Sequence, residues 1–202
     1  MDGGDISEKR RAPSLAGAIR DHVRLLFGLL GIMWLVEILN LLPYLHLDRY
    51  GIRPRSFAGL SGILFAPFLH ASIGHLVVNS LPFIILGGIV LLGGARVFWM
   101  VTAFVTLAGG LGVWLVAGTF SNHIGASGLI FGYLGFILAR GIFEKSWSWM
   151  LVACAILAAY GGLLFGVLPG RAGISWQGHL FGFLAGVGAA RLMFQKEKPL
   201  LC

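Results

Sequence analysis

The chain has 202 residues, of which 57% are apolar and 11% charged, with a mean hydropathy of +0.88. So little polar surface cannot coat a water-soluble globule of this size, and the chain reads as an integral membrane protein. Its 15 Lys and Arg against 8 Asp and Glu, net +7, then express membrane topology and attraction to anionic lipid rather than nucleic-acid binding.

Six apolar runs of helical length follow in order, at residues 25–42, 75–92, 97–117, 127–139, 147–168 and 179–194, separated by Gly- and Pro-rich breakers. Such runs satisfy their backbone in lipid as helices, and the short alternating segments of a barrel are absent. The expected fold class is all-α: a polytopic six-transmembrane-helix bundle over residues 25–194, one domain because about 20 residues per span consume most of the chain. Residues 1–24 read as a basic cytoplasmic arm, residues 195–202 as a cytoplasmic tail, and the first run as a retained anchor, since no clear cleavage site follows it. The long outer loop over residues 43–74 holds an apolar stretch too short to span and broken by Pro67, which predicts short helices lying partly in the outer interface. Tyr50, Trp147 and Trp149 read as interfacial anchors, and Glu37 as hydrogen-bonded or interface-facing, since no partner charge for an ion path is visible.

Orientation follows from the basic residues. With six spans the termini share a side, which collects Lys9, Arg10, Arg11, Arg20, Arg24, Arg96, Arg140, Lys145, Arg191, Lys196 and Lys198, against Arg49, Arg53, Arg55 and Arg171 opposite. The bias places both termini in the cytoplasm. Cys154 falls mid-span and Cys202 at the terminus, so both read as free thiols. There is no cofactor motif or metal-ligand cluster, and no cofactor is expected.

Spans two, four and six all run from outside to inside. His75 and Asn79 open the second, Ser127 the fourth and His179 the sixth, so four polar residues converge at one depth. The fourth span, taken from Ser127 to Arg140, covers only roughly 21 Å against a hydrocarbon core of about 30 Å, which would set the serine below the outer surface. Gly128 and Gly132 on one helix, and Gly178, Gly182 and Gly186 on the other, offer small faces for close approach, which would bring Ser127 Oγ within hydrogen-bond reach of the His179 ring.

Chemistry then assigns roles. A serine hydroxyl needs a base to become a nucleophile, so Ser127 is the expected nucleophile and His179 the general base and acid. No carboxylate accompanies them, which favours a dyad over a triad. The Ser127 N–H, His75 and Asn79 are the expected donors to the oxyanion. His123 reads as a loop residue near the cavity mouth, and Trp176 and Gln177 as packing residues, with lining of the site as the alternative. Taken singly, a Gly-flanked serine suggests helix packing, a histidine at a helix end an interfacial hydrogen bond, and Asn79 a bridge between helices. Their convergence favours catalysis.

The motifs His70-Ala-Ser-Ile-Gly-His75-Leu-Val-Val-Asn79, Gly125-Ala-Ser127-Gly128 and Gly178-His179-Leu-Phe-Gly182-Phe-Leu-Ala-Gly186 together resemble the rhomboid family of intramembrane serine proteases. The resemblance implies a six-helix core, a Ser–His dyad and cleavage of membrane-protein substrates in or near their transmembrane segments, helix-destabilising ones above all, with lipid as the surrounding partner. It implies oxyanion roles for His75 and Asn79, a structural role for His70, and supporting positions for Gly125 and Gly128. Two departures stand out. Phe131 occupies the place of the family's tyrosine that stacks on the catalytic ring, and the outer loop has Gly51-Ile-Arg53-Pro-Arg55 in place of a Trp-Arg pair. A catalytically silent scaffold that binds transmembrane helices and a small transporter are the alternatives. The intact Ser127 and His179 argue against the first, and the lack of paired intramembrane charges against the second.

Overall fold

Helix α1 (Leu15–Asn40) opens the computed structural model, which describes residues 15–170 and 173–195. It starts at Leu15, ahead of the apolar run, because the segment to Arg24 is free of Pro and holds good helix formers. The inner half of the basic arm is thus helical; residues 1–14 and 196–202, with Cys202 and most of the N-terminal basic residues, lie outside the described residues, as does Arg171.

The outer loop carries a 3-10 turn (Leu47–Tyr50), α2 (Phe57–Leu60), α3 (Gly62–Phe65) and a second 3-10 turn at Ala66–Phe68. Short helices are what the apolar stretch around Pro67 predicts. Asn40 Oδ1 accepts the Leu47 N–H at 2.5 Å, folding the loop back onto the end of α1. That fold corrects the reading of Glu37: only 2% exposed, its Oε2 has no hydrogen-bond partner, so it is neither hydrogen-bonded through that atom nor interface-facing.

Helix α4 (Ile73–Leu91) is the second span. The third runs over Ala95–Val116 as α5 (Ala95–Phe104), a π turn (Val105–Gly109) and α6 (Gly110–Val116). The π turn lies where this span passes the bundle centre, with Val105 against Gly132. Helix α7 (Ser127–Glu144) has 18 residues, or about 27 Å, so the fourth span is longer than expected. The guanidinium of Arg140, expected at the membrane face, is instead buried: Nε pairs with Glu144 at 2.6 Å and the group lies over the rings of Trp149 at 3.7 Å and Phe194 at 4.6 Å. Trp149, half-buried in the first turn of α8, thus covers the Arg140 guanidinium, whereas Trp147 is exposed. The fifth span is α8 (Trp147–Tyr160), which tightens into a 3-10 segment, Gly161–Val167. Helix α9 (Trp176–Phe194) closes the bundle.

Among the described residues there is no strand, only an isolated antiparallel bridge between Ile52 and His123. Five helices, α1, α4, α5–α6, α7 and α8 with its extension, are long and apolar enough to cross a membrane. The 19-residue α9 is less apolar because it carries Gln177, His179, Arg191 and four glycines, and it lies along α7 at the centre. The chain is an integral membrane protein built as an all-α bundle, with Leu35, Leu81, Leu151 and Leu192 left exposed outward, as lipid-facing positions should be.

Glycine governs the α7–α9 contact. A Cβ on Gly182 would collide with the Gly128 carbonyl and one on Gly186 with the Gly132 carbonyl, so the helices meet backbone to backbone. Around this pair lie α4, the π turn and α8, and α1 packs outside against α4. Burial is uneven: 67% of the most apolar stretch of α7 is buried, against 6% for the fifth span.

Candidate active site

Each polar residue of the site sits in the first turns of a helix whose start the sequence encodes. Ser72 caps α4 by accepting the His75 N–H at 3.1 Å, and Ser175 caps α9 by accepting the Gly178 N–H at 3.1 Å. Ser127 is the first residue of α7. Three helix N-termini, each with free N–H groups and a partial positive charge, therefore meet around one space.

That space is a cavity of about 710 Å³ lined by His75, Asn79, Ser127, Phe131 and His179, with Trp176 and Gln177 at its rim. Of the two roles open to Trp176 and Gln177, lining the site is the one the cavity shows. His123 lines it too, although the ring is buried at 8% exposure.

The segment before the serine is pinned from the outer loop. Gly125 donates its N–H to the Ala66 carbonyl at 2.9 Å, and Ala126 donates to His70 Nε2 at 3.3 Å. His70 is 1% exposed and meets His75 edge to face at 5.2 Å. Burial foremost, and then the neighbouring His75, push its pKa down to about 4, so the ring stays neutral and Nε2 remains an acceptor. Gly125 has φ of +119°, and a Cβ there would lie 2.8 Å from His75 Cε1. Only glycine allows both the turn and the approach of that ring.

His179 Nδ1 lies 2.9 Å from the Gly166 carbonyl on the 3-10 extension of α8. A carbonyl only accepts, so Nδ1 carries the proton and Nε2 is left with its lone pair, as a general base requires. Phe131 stacks on the same ring at 4.1 Å between centroids and 7° between planes, without any hydroxyl. Asn79 donates from Nδ2 to the His75 carbonyl at 2.9 Å, so it bonds within α4 instead of bridging helices, and its second N–H is left over.

Among the described residues, Ser127 Oγ makes no hydrogen bond to His179. The close α7–α9 approach expected from the glycines is present, and both side chains open on the same cavity, but the bond inferred from that approach is not formed. The ring is held from the other side, by Gly166 and Phe131. Gly128 lies beside Gly178, whose carbonyl would be 3.6 Å from a Cβ there. Sequence reasoning missed Ser175 and Gly166. A serine three residues before Gly178, at the start of an apolar run, is a readable cap signal; a backbone acceptor such as Gly166 has none. No cluster of three or more metal-binding side chains occurs among the described residues.

Comparison with known proteins agrees with this architecture. The Rhomboid domain matches residues 58–196, from α2 to just beyond α9. An uncharacterized protein of Mycobacterium tuberculosis is 44% identical over 176 residues, covering 83% of this chain and 73% of its own. An uncharacterized protein of Mycobacterium leprae is 44% identical over 177 residues, 84% of this chain and 70% of its own. A Bacillus subtilis protein bearing the name "Putative rhomboid protease YdcA" is 31% identical over 134 residues, 64% of this chain and 65% of its own. With its helices in the order the motifs require and the domain matched over most of its length, the chain belongs to the rhomboid family.

Proposed function

We propose that the protein is an intramembrane serine endopeptidase that uses Ser127 and His179 as a dyad. The observation that carries this reading is the shared cavity of about 710 Å³, onto which Ser127, His179, His75 and Asn79 all open, with the tautomer of His179 fixed by Gly166. Ser127 Oγ attacks the scissile carbonyl as its proton passes to His179 Nε2, which returns it to the leaving amine. The oxyanion draws on the Ser127 N–H, the free Nδ2–H of Asn79 and the His75 ring, at converging helix N-termini. Water then releases the acyl group by the reverse proton path.

The Gly166 carbonyl replaces a carboxylate behind the histidine. It supplies orientation but no full charge, so the imidazolium is less stabilised than in a triad. Substrates are membrane proteins whose transmembrane segments unwind readily, since a regular helix hides its carbonyls. The thinly buried α8 is the side by which such a segment reaches the cavity. The basic-residue bias sets the cavity toward the outer face, with both termini in the cytoplasm of a bacterial inner membrane.

The test is reconstitution with a fluorogenic transmembrane peptide. Wild type should cleave it, while Ser127→Ala and His179→Ala should each fall by at least about 10⁴-fold. Equal cleavage by all three would sink the dyad.

A further inference from the structure

His123 belongs to a hydrogen-bonded chain that the dyad does not use. Its ring lies between two serines: Nε2 is 2.7 Å from Ser121 Oγ, and Nδ1 is 2.6 Å from Ser175 Oγ. The outer ends of the chain fix its direction. Ser121 spends its hydroxyl proton on the Gly118 carbonyl at 2.5 Å, so its oxygen accepts from His123 Nε2–H. With the ring proton on Nε2, neutral His123 has a bare Nδ1, so the Ser175 hydroxyl donates to it while the Ser175 oxygen accepts the Gly178 N–H at 3.1 Å. Each hydroxyl proton and the ring proton is then used once, and the neutral Nε2–H form of His123 is the one that fits. Burial holds the ring below its ordinary pKa, which favours that form.

The backbone of His123 is tied as firmly. Its N–H and C=O exchange bonds with Ile52 at 3.0 and 2.9 Å, and the adjoining Asn122 donates from Nδ2 to the Asp48 carbonyl at 2.8 Å. Three segments thus meet at one residue: the outer loop, the stretch from Gly118 that delivers Ser127, and the cap of the helix that bears His179. Ser127 stands four residues after His123 and His179 four after Ser175.

We propose that His123 is a positioning residue: through the Ser121–His123–Ser175 chain it sets the approach of the serine-bearing segment to the start of α9, and hence of Ser127 to His179. The inference rests on the protease reading and names a residue that lines the cavity yet acts through both dyad members, bonded to Ser121 and Ser175 rather than to Ser127 or His179. Distances between reacting groups must hold within fractions of an ångström, so loosening this link slows chemistry without weakening binding.

The experiment compares His123→Ala, Ser175→Gly, their double variant and Ser175→Thr in the full-length protein. Glycine keeps most of the capping propensity while deleting the hydroxyl, and threonine keeps both. Each single variant should lower kcat, and labelling by a small fluorophosphonate, by about 10- to 100-fold, with KM unchanged and at temperatures well below whatever thermal midpoint the variant retains. The double variant should be no worse than either single, and Ser175→Thr should stay near wild type. Full kcat in either single variant, additive losses, or losses that only track the thermal midpoint would overturn the proposal. Nitrogen-15 NMR of histidine-labelled protein reads the link without any activity. His123 should carry its proton on Nε2, and Ser175→Gly should move the His123 and His179 signals together; an Nδ1–H form, or unmoved His179 signals, refutes the link. If wild type neither cleaves nor labels, the protease reading fails and this spectroscopic arm still decides the link.

Discussion

His179 is held by a backbone carbonyl on one edge and a phenyl face on the other, and both contacts bear on how it can act. Phe131 stacks nearly parallel at 4.1 Å, a contact worth about 0.5–1.5 kcal/mol, so Phe131→Ala should lower kcat roughly two- to ten-fold, while Phe131→Tyr, which keeps the face, should not; steady-state kinetics on the fluorogenic peptide reads both. His70 acts through its protonation state. With its pKa lowered to about 4, the folded protein resists the proton that an unfolded chain accepts below the ordinary 6.5. The unfolded state therefore gains as pH falls through that window, and full protonation would cost about 3 kcal/mol of stability. Thermal midpoints should fall between pH 6.5 and 4, and His70→Gln, which can still accept from Ala126, should flatten the slope. That Ser127, His75, Asn79 and His179 line one cavity is legible in the sequence, because each heads an apolar run and the alternation of spans sets those heads at one level. Gly166 is not legible, since its contribution is a carbonyl that every residue possesses.

Among elements, the α7–α9 pair carries the site, and its glycines can be tested against one another. A methyl group at Gly186 would run into the Gly132 carbonyl, whereas at Gly188 the nearest atom is on the Phe104 ring at 3.5 Å, an ordinary contact. Gly186→Ala should cost about 1–3 kcal/mol of stability, and Gly188→Ala close to nothing, in thermal or denaturant unfolding. The spacing of Gly178, Gly182 and Gly186 makes this face readable in advance. The length of α7 is not, because an arginine in an apolar run reads as the end of a span. Arg140 is sheathed by Trp149 and Phe194, residues remote in sequence, and paired with Glu144 one turn on, so the helix continues past it. Glu37 escapes in the same way, since its burial depends on tertiary packing that the run around it does not announce.

At the scale of the whole molecule, burial falls from 67% in the most apolar stretch of α7 to 6% in that of the fifth span, so the candidate site is built on the most enclosed helix and α8 is left to face lipid. The basic-residue bias predicts that reporters fused at either terminus are active only in the cytoplasm, and a periplasmic signal from either would reverse the proposed orientation. The central claim is that Ser127 is a nucleophile activated by His179, and it is tested most directly by labelling the membrane-embedded protein with a fluorophosphonate and mapping the adduct by mass spectrometry. The adduct should sit on Ser127 in the wild type and be lost in Ser127→Ala and His179→Ala. Undiminished labelling in His179→Ala, or an adduct that persists in Ser127→Ala, would contradict it.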